Sequence, residues 1–148
     1  MTMTRREMCL LLPGAALSGA AAPLVLAGEQ DNSLPSGGFS FEALTAKTGA
    51  SGAQTREILK GKLATGESLE THATTLPPGA MPHPPHRHVH SEMFLLREGT
   101  LELTVNGKTY PLGPGSVGFV RSNEEHGVKN VGSAPANYFV VEMGPGAS

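Results

Sequence analysis

The sequence predicts an all-β domain, folded as a barrel or sandwich of short strands. From about residue 54 onward, short apolar runs alternate with turn signals, as in all-β domains. The chain holds 19 Gly and 12 Pro but no Trp, so turn-forming residues are plentiful. Leu101, Leu103 and Val105 alternate with polar residues, and Asn106-Gly107 follows them as a strong two-residue hairpin signal.

The alternation of apolar runs and turn signals predicts eight strands. They are expected at 55–60, 67–76, 91–97, 100–106, 108–112, 116–121, 126–131 and 136–143. Pro77-Pro78-Gly79 and Gly113-Pro114-Gly115 mark loops between strands. A chain of 148 residues suits one domain with its own core.

Residues 1–27 are predicted to be a cleavable export signal. Arg5 and Arg6 precede an uncharged run that is rich in Ala and Gly, and Ala27 ends a small-residue cleavage pattern. The paired arginines resemble a twin-arginine signal, so we expect an exported protein, periplasmic or extracellular. Two prolines in the run argue against a permanent membrane anchor.

Residues 28–53 are mostly small and polar, which predicts a flexible linker or a segment at the edge of the barrel. Phe39 and Phe41 are the apolar side chains that would dock on such an edge. Residues 54–148 are then expected to form the barrel domain.

Composition excludes several classes of function. The chain has 11 basic and 13 acidic residues with no basic stripe, so nucleic-acid binding has no support. Cys9 is the only cysteine and lies in the predicted signal, so the mature chain would hold no thiol ligand or nucleophile. The sequence contains no nucleophile elbow, phosphate-binding glycine loop or dinucleotide fingerprint.

A group of histidines and one glutamate indicates metal binding. His86, His88 and Glu92 are spaced i, i+2 and i+6, which places three side chains on one face of a regular strand. His126 follows a separate apolar strand. Imidazole suits Zn, Cu, Fe and Ni, and a carboxylate extends the range toward Mn, so the identity of the metal stays open.

These residues resemble the two sequence motifs of the cupin superfamily. The first motif reads His86-x-His88-x3-Glu92-x6-Gly99, and the second runs from Gly115 through His126-x3-Asn130. The resemblance covers roughly residues 67–143. It implies a small double-stranded β-helix, or jelly-roll, barrel. It also implies that His86, His88, Glu92 and His126 ligate one divalent transition metal.

The chain departs from the family pattern at three turn positions. Ala80 and Asn123 stand where the family has glycine, and Arg121 stands where it has proline. Asparagine tolerates the left-handed backbone region, so Asn123 is expected to replace glycine there.

His90 and Arg121 are weak candidates for a catalytic role. His90 would be an extra ligand or a partner of the ligands if the strand were regular, and would point to solvent if the chain looped there. Arg121 would steer an anionic substrate at the barrel mouth, or would be a solvated surface charge. His72 is expected to be a partnered or exposed histidine rather than a ligand.

Two classes of function remain open at this point. The first is a metalloenzyme acting on a small molecule, of dioxygenase or isomerase/lyase type, and the second is a non-catalytic metal- or small-ligand-binding protein. The family resemblance also implies a homodimer paired through a barrel edge.

Overall fold

The structure, a computed structural model, describes residues 33–145. The predicted export signal at 1–27 lies outside these residues, as does the start of the predicted linker. Within the described range the chain forms antiparallel strands and one short 3-10 turn, which confirms the all-β prediction. No helix in this range is long and apolar enough to cross a membrane.

The strands follow one another with short connections. They are β1 (Lys47–Thr48), β2 (Gln54–Lys62), β3 (Ser68–Leu76), β4 (Ser91–Glu98), β5 (Leu101–Val105), β6 (Lys108–Leu112), β7 (Val117–Val120), β8 (His126–Asn130) and β9 (Ala136–Gly144), with the 3-10 turn at Phe41–Ala43. Eight of them overlap the eight predicted strands.

The strands form two sheets that share one core. A six-stranded sheet has the order β1-β2-β3-β9-β4-β7, and a three-stranded sheet has the order β6-β5-β8. Alternate residues of the strands face inward and exclude water between the sheets. The buried apolar side chains include Phe94, Leu96, Val120, Tyr138 and Val140 from the large sheet and Leu101, Leu103, Leu112 and Val128 from the small one.

The hairpin between β5 and β6 has the predicted turn. Val105 pairs with Lys108, and Asn106 and Gly107 between them have φ of 48° and 79°. Two successive positive φ values belong to the primed turns that match the twist of antiparallel strands. The Asn-Gly signal is confirmed.

Gly99 and Asn123 both need the left-handed backbone region. Gly99 joins β4 to β5 with φ of 91°, and a Cβ there would lie 2.7 Å from the Cα of Ala136. Asn123 has φ of 64°, so asparagine does stand in for glycine at this turn.

Residues 33–48 run along the edge of the six-stranded sheet. Strand β1 pairs with β2, and the Leu34 N–H donates to the carbonyl oxygen of Lys62 at 2.7 Å. The Arg56 guanidinium lies 4.6 Å from the centre of the Phe41 ring. Strand β1 was not predicted, because its two residues are too few to show an alternating pattern.

Four charged residues lie in register across the six-stranded sheet, and we name them the charged row. Lys60 pairs with Glu70, Glu70 with Glu142, and Glu142 with Glu92. Side chains two residues apart share a face, so Glu92 faces the same side of the sheet as the buried Phe94. The charged row therefore belongs to the inner wall of the barrel.

Candidate metal centre

His86 and His126 are held together by backbone hydrogen bonds. Each donates its N–H to the carbonyl oxygen of the other at 3.0 Å, which makes an isolated bridge between the loop before β4 and the start of β8. This bridge fixes the two imidazoles with their ring centres 4.7 Å apart.

The loop geometry corrects one step of the sequence argument. Strand β4 begins at Ser91, so the segment from His86 to His90 is not the regular strand that the i, i+2, i+6 spacing assumed. Pro84 and Pro85 cannot donate to a ladder, and the chain bends before β4 instead. The side chains converge through this bend rather than through a shared strand face.

The tautomer of His88 is set by its neighbours. Its Nδ1 lies 2.9 Å from the carbonyl oxygen of His90, so Nδ1 carries the proton and donates it. The lone pair then lies on Nε2, which is 3.3 Å from Oε2 of Glu92. In metal-binding histidines, the ring nitrogen that does not bind the metal commonly donates its proton to a carbonyl or a carboxylate. His88 has this arrangement, with Nδ1 as the donating nitrogen.

His126 has the same arrangement in a more buried place. Its Nδ1 donates to the carbonyl oxygen of Glu124 at 2.9 Å, and the residue is 2% exposed. Its Nε2 lies 2.8 Å from Oε2 of Glu92 but makes no hydrogen bond of good geometry. Burial lowers the pKa of His126, but contact with Glu92 and Glu124 outweighs it and raises this pKa, so Nε2 holds a proton toward the carboxylate when no metal displaces it.

The donor set fits a divalent metal ion. Ligand nitrogens of His86, His88 and His126 lie within 4.8 Å of one another, and Nδ1 of His86 is buried with no hydrogen-bond partner among residues 33–145. The imidazole nitrogens and the buried carboxylate that face one another need a positive charge between them, which either a proton or a metal ion supplies. Imidazole and carboxylate ligands in this number suit a transition metal.

Electrostatics in the cluster favour a bound cation. Burial, reinforced by the neighbouring His83, lowers the pKa of His86, which keeps the ring neutral as a ligand must be. Burial alone would raise the pKa of Glu92, but contact with His126 and the charges of His126 and His88 outweigh it and lower this pKa. Glu92 is therefore an ionised carboxylate in the interior.

Comparison with known proteins supports the same fold for this geometry. Residues 72–142 match the family model described as a cupin domain. The described strands have the fold of a small cupin barrel. The match includes β4 through β8 and all four residues of the candidate metal centre.

Two curated relatives of the chain are named as enzymes. The L-ectoine synthases of Bordetella parapertussis and Bordetella bronchiseptica are each 36% identical to the chain over 72 residues. That match covers 48% of the chain and 53% of each relative. The chain thus spans about half the length of the curated relatives it matches.

Two solved structures resemble the fold. An RmlC-like cupin from Shewanella frigidimarina has a TM-score of 0.63 at 20% identity, covering 76% of this chain and 95% of that chain. The polyketide cyclase RemF from Streptomyces resistomycificus has a TM-score of 0.62 at 18% identity, covering 76% and 83%. At these identities the likeness shows the fold alone.

His90 lies against the histidine cluster and does not point to solvent. Its ring stacks on His88 with centres 3.6 Å apart, and its Nε2 is 3.0 Å from Oε2 of Glu142. The side chain is 11% exposed. Burial lowers the pKa of His90, so the inward-facing ring makes a stacking contact and a polar contact rather than an ion pair.

Arg121 lies away from the cluster of ligand atoms, whereas His83 contacts the cluster at its rim without contributing a converging ligand atom. The Arg121 side chain is 76% exposed and its Nη2 donates to Oε1 of Glu124 at 3.0 Å. His83 is exposed at the rim, with its ring centre 4.3 Å from that of His86. Arg121 does not line the cavity that contains the histidines.

The cavity also contains polar residues that the sequence argument did not single out. It measures about 530 Å³, and Glu70, His72 and Glu142 line it from strands β3 and β9. Burial, with the charges of Glu70 and Glu92, raises the pKa of Glu142 to about 7. Glu70 and His72 alternate within a predicted strand, which was an available signal, but only the register of β3 with β9 brings Glu142 beside them.

Proposed function

We propose that this cupin domain binds one divalent transition metal through His86, His88, Glu92 and His126 and is a metal-dependent enzyme acting on a small molecule. The observation that carries the proposal is the buried set of lone pairs and one carboxylate that face one another beside a cavity. The enzymatic names of the curated relatives support turnover rather than storage.

The four side chains leave part of an octahedral coordination sphere for a substrate. When bound, the metal would act as a Lewis acid on a carbonyl or hydroxyl oxygen. The cavity of about 530 Å³ lies within the range of small-molecule sites. Its apolar wall of Phe94, Val128 and Val140 limits access of water and so strengthens electrostatic interactions near the metal.

Two reaction types use this ligand set, and we favour the isomerase or lyase type over the dioxygenase type. The relatives that share 36% identity with the chain are named as synthases, and that name describes no oxidation. The size of the cavity and the metal together define the proposed substrate class. It is a small polar molecule with an oxygen atom that can bind the metal.

The first experiment is elemental analysis of the protein produced by its own export route. His88→Ala should contain one equivalent of metal less than the wild type, because Nε2 of His88 is one of the converging ligand atoms. His83→Ala is the matched control, since that ring is exposed and lies outside the cluster. Equal metal content in wild type and His88→Ala would contradict the site.

A spectroscopic test separates an enzyme from a binding protein. The cobalt(II)-substituted protein should change its visible spectrum when azide is added, because an enzyme keeps an exchangeable coordination position. A spectrum that azide leaves unchanged would indicate a saturated site and would favour a metal store. His88→Ala treated in the same way controls for cobalt bound elsewhere.

We further propose that the protein is exported in a folded state and pairs as a homodimer. Export rests on Arg5 and Arg6, and their joint replacement by Lys should block it. Pairing is supported by apolar side chains on the outer sheet face, where Val117, Phe119 and Phe139 are 56%, 51% and 37% exposed. Unchanged export of the Arg5→Lys/Arg6→Lys variant would contradict the export proposal. A monomer in sedimentation at micromolar concentration would contradict the homodimer.

A further inference from the structure

A second group of ligand atoms lies on the strands of the same cavity. Glu70 and His72 share one face of β3, and Glu142 on β9 is the direct partner of Glu70. One ligand atom from each of the three residues lies within 4.8 Å of the other two. All three side chains are partly buried, and none belongs to the histidine cluster.

The charges of this group are unbalanced. Like charges directly opposite each other on neighbouring strands are destabilising, and here Glu142 lies between Glu70 and Glu92 in the charged row. Lys60 contacts one oxygen of Glu70 at 2.8 Å, and His90 contacts one oxygen of Glu142 at 3.0 Å. The charged row therefore contains three acidic side chains but only one basic side chain, that of Lys60.

His72 has no partner that explains its position. Its ring makes no hydrogen bond or ion pair to residues 33–145 and lines the cavity between the strands. Burial lowers the pKa of His72, so its imidazole is neutral and keeps a lone pair for a ligand. A neutral imidazole forms no ion pair with the two carboxyl groups beside it. All three side chains instead offer lone pairs that a cation can bind.

We propose that Glu70, His72 and Glu142 form a second divalent-cation site, separate from the histidine cluster. Two carboxylates and one imidazole suit Mn²⁺, because carboxylate oxygens are preferred by Mg²⁺, Ca²⁺ and Mn²⁺ and imidazole by transition metals. The two sites share the cavity but no ligand.

Two contacts connect the second site to its surroundings. Lys60 is 43% exposed, so its long side chain can turn to solvent when a cation binds Glu70. His90 stacks on His88 and contacts Glu142, so one imidazole lies between the two groups. Filling the second site should therefore alter the environment of His90 without removing a ligand of the first.

The test is titration of the full chain with Mn²⁺ alone, with free ion measured by electron paramagnetic resonance. Wild type should bind two equivalents, His88→Ala one, and the Glu70→Gln/Glu142→Gln variant one. The matched control is Glu57→Gln, which changes a carboxylate of the same cavity that lies outside the group and should still bind two.

The two sites can fail separately in this titration. One equivalent in wild type that disappears in His88→Ala would overturn the second site and leave the first. One equivalent that persists in His88→Ala but disappears in the double variant would support the second site and contradict the first. Loss of both equivalents in Glu57→Gln would show nonspecific attraction to the cavity and overturn the second site.

Crystals soaked in Mn²⁺ give a measurement that does not depend on the folding of a variant. Anomalous difference density should show one peak among the histidines and another between Glu70, His72 and Glu142. Density at the histidines with none on the strands, at a Mn²⁺ concentration that saturates the titration, would overturn the proposal.

Discussion

The histidine cluster and the strand group occupy the same cavity but are built in different ways. The cluster draws its rings from a loop and from the first residue of β8, and backbone carbonyls orient the rings of His88 and His126. The strand group draws its donors from the register of β3 and β9. A loop needs polar supports to hold a ligand, whereas a sheet positions one by pairing alone.

The largest expected effect is the loss of metal on changing the most buried ring of the cluster. His126→Ala removes a ligand atom and leaves Glu92 facing a cavity. Since loss of a partner outside the ligand shell costs ~10–100-fold in metal affinity, loss of this ligand should weaken binding by more than about 100-fold. Competition with a chelator of known affinity measures the change.

The strand group supplies the comparison for that variant. His72→Ala should leave metal affinity of the histidine cluster within about threefold of wild type, because no ligand of the cluster contacts the His72 ring. An equal loss in both variants would mean that the two groups act as one site.

The next largest effect is on stability and concerns the loop between β8 and β9, which the Asn130 side chain ties to the end of β3. Asn130 is fully buried, its Nδ2 donates to the carbonyl oxygens of Leu76 and Ala134, and its Oδ1 accepts from the Gly132 N–H. Asn130→Ala leaves these groups unpaired, so the free energy of unfolding should fall by about 3 kcal/mol. Urea denaturation of the metal-free protein measures it.

Asn137→Ala is the matched control for that change. Asn137 also bonds two side chains, Thr75 and Glu98, but the bonds are partly buried or exposed. Its loss should lower the free energy of unfolding by less than about 1 kcal/mol. A similar loss in both variants would show that burial of the Asn130 amide is not what stabilises the loop.

A smaller effect sharpens the distinction between the two groups. Lys60→Met removes the cation that contacts Glu70 and should raise the affinity of the strand group for Mn²⁺ by roughly threefold to tenfold. The affinity of the histidine cluster should not change. Lys62→Met is the control on the same strand, since Lys62 lies outside the charged row.

The smallest effect is expected at Arg121. Its ion pair with Glu124 is exposed, and pairs of this kind contribute little to stability. Arg121→Ala should leave metal content and melting temperature within experimental error, as followed by elemental analysis and calorimetry. Loss of metal in this variant would mean that the turn before β8 depends on the ion pair to position His126.

The sequence was sufficient for the parts of the structure that depend on local pattern. The Asn106-Gly107 turn, the strand ranges and the identity of Asn123 as a substitute for glycine all follow from backbone preferences of a few adjacent residues. The spacing of His86, His88 and Glu92 likewise marks a group of donors, although the assumed strand was wrong.

The sequence was insufficient wherever the answer depends on register or on packing. Glu142 meets Glu70 only because β9 inserts between β3 and β4, an order that no local pattern reveals. His90 turns inward because two partners are present in three dimensions, and the alternation of residues 86–92 carried no information on them.

The position of the histidine cluster has a consequence for unfolding. Glu92 belongs to the six-stranded sheet and His126 to the three-stranded sheet, so a metal held by both would be a cross-link over the seam between the sheets. Such a link closes a long loop of chain and restricts the entropy of the denatured ensemble, as a disulfide does in other small domains. Residues 33–145 contain no cysteine, so within them the ion would take the place of that covalent bond, and a chelator would be the equivalent of a reducing agent.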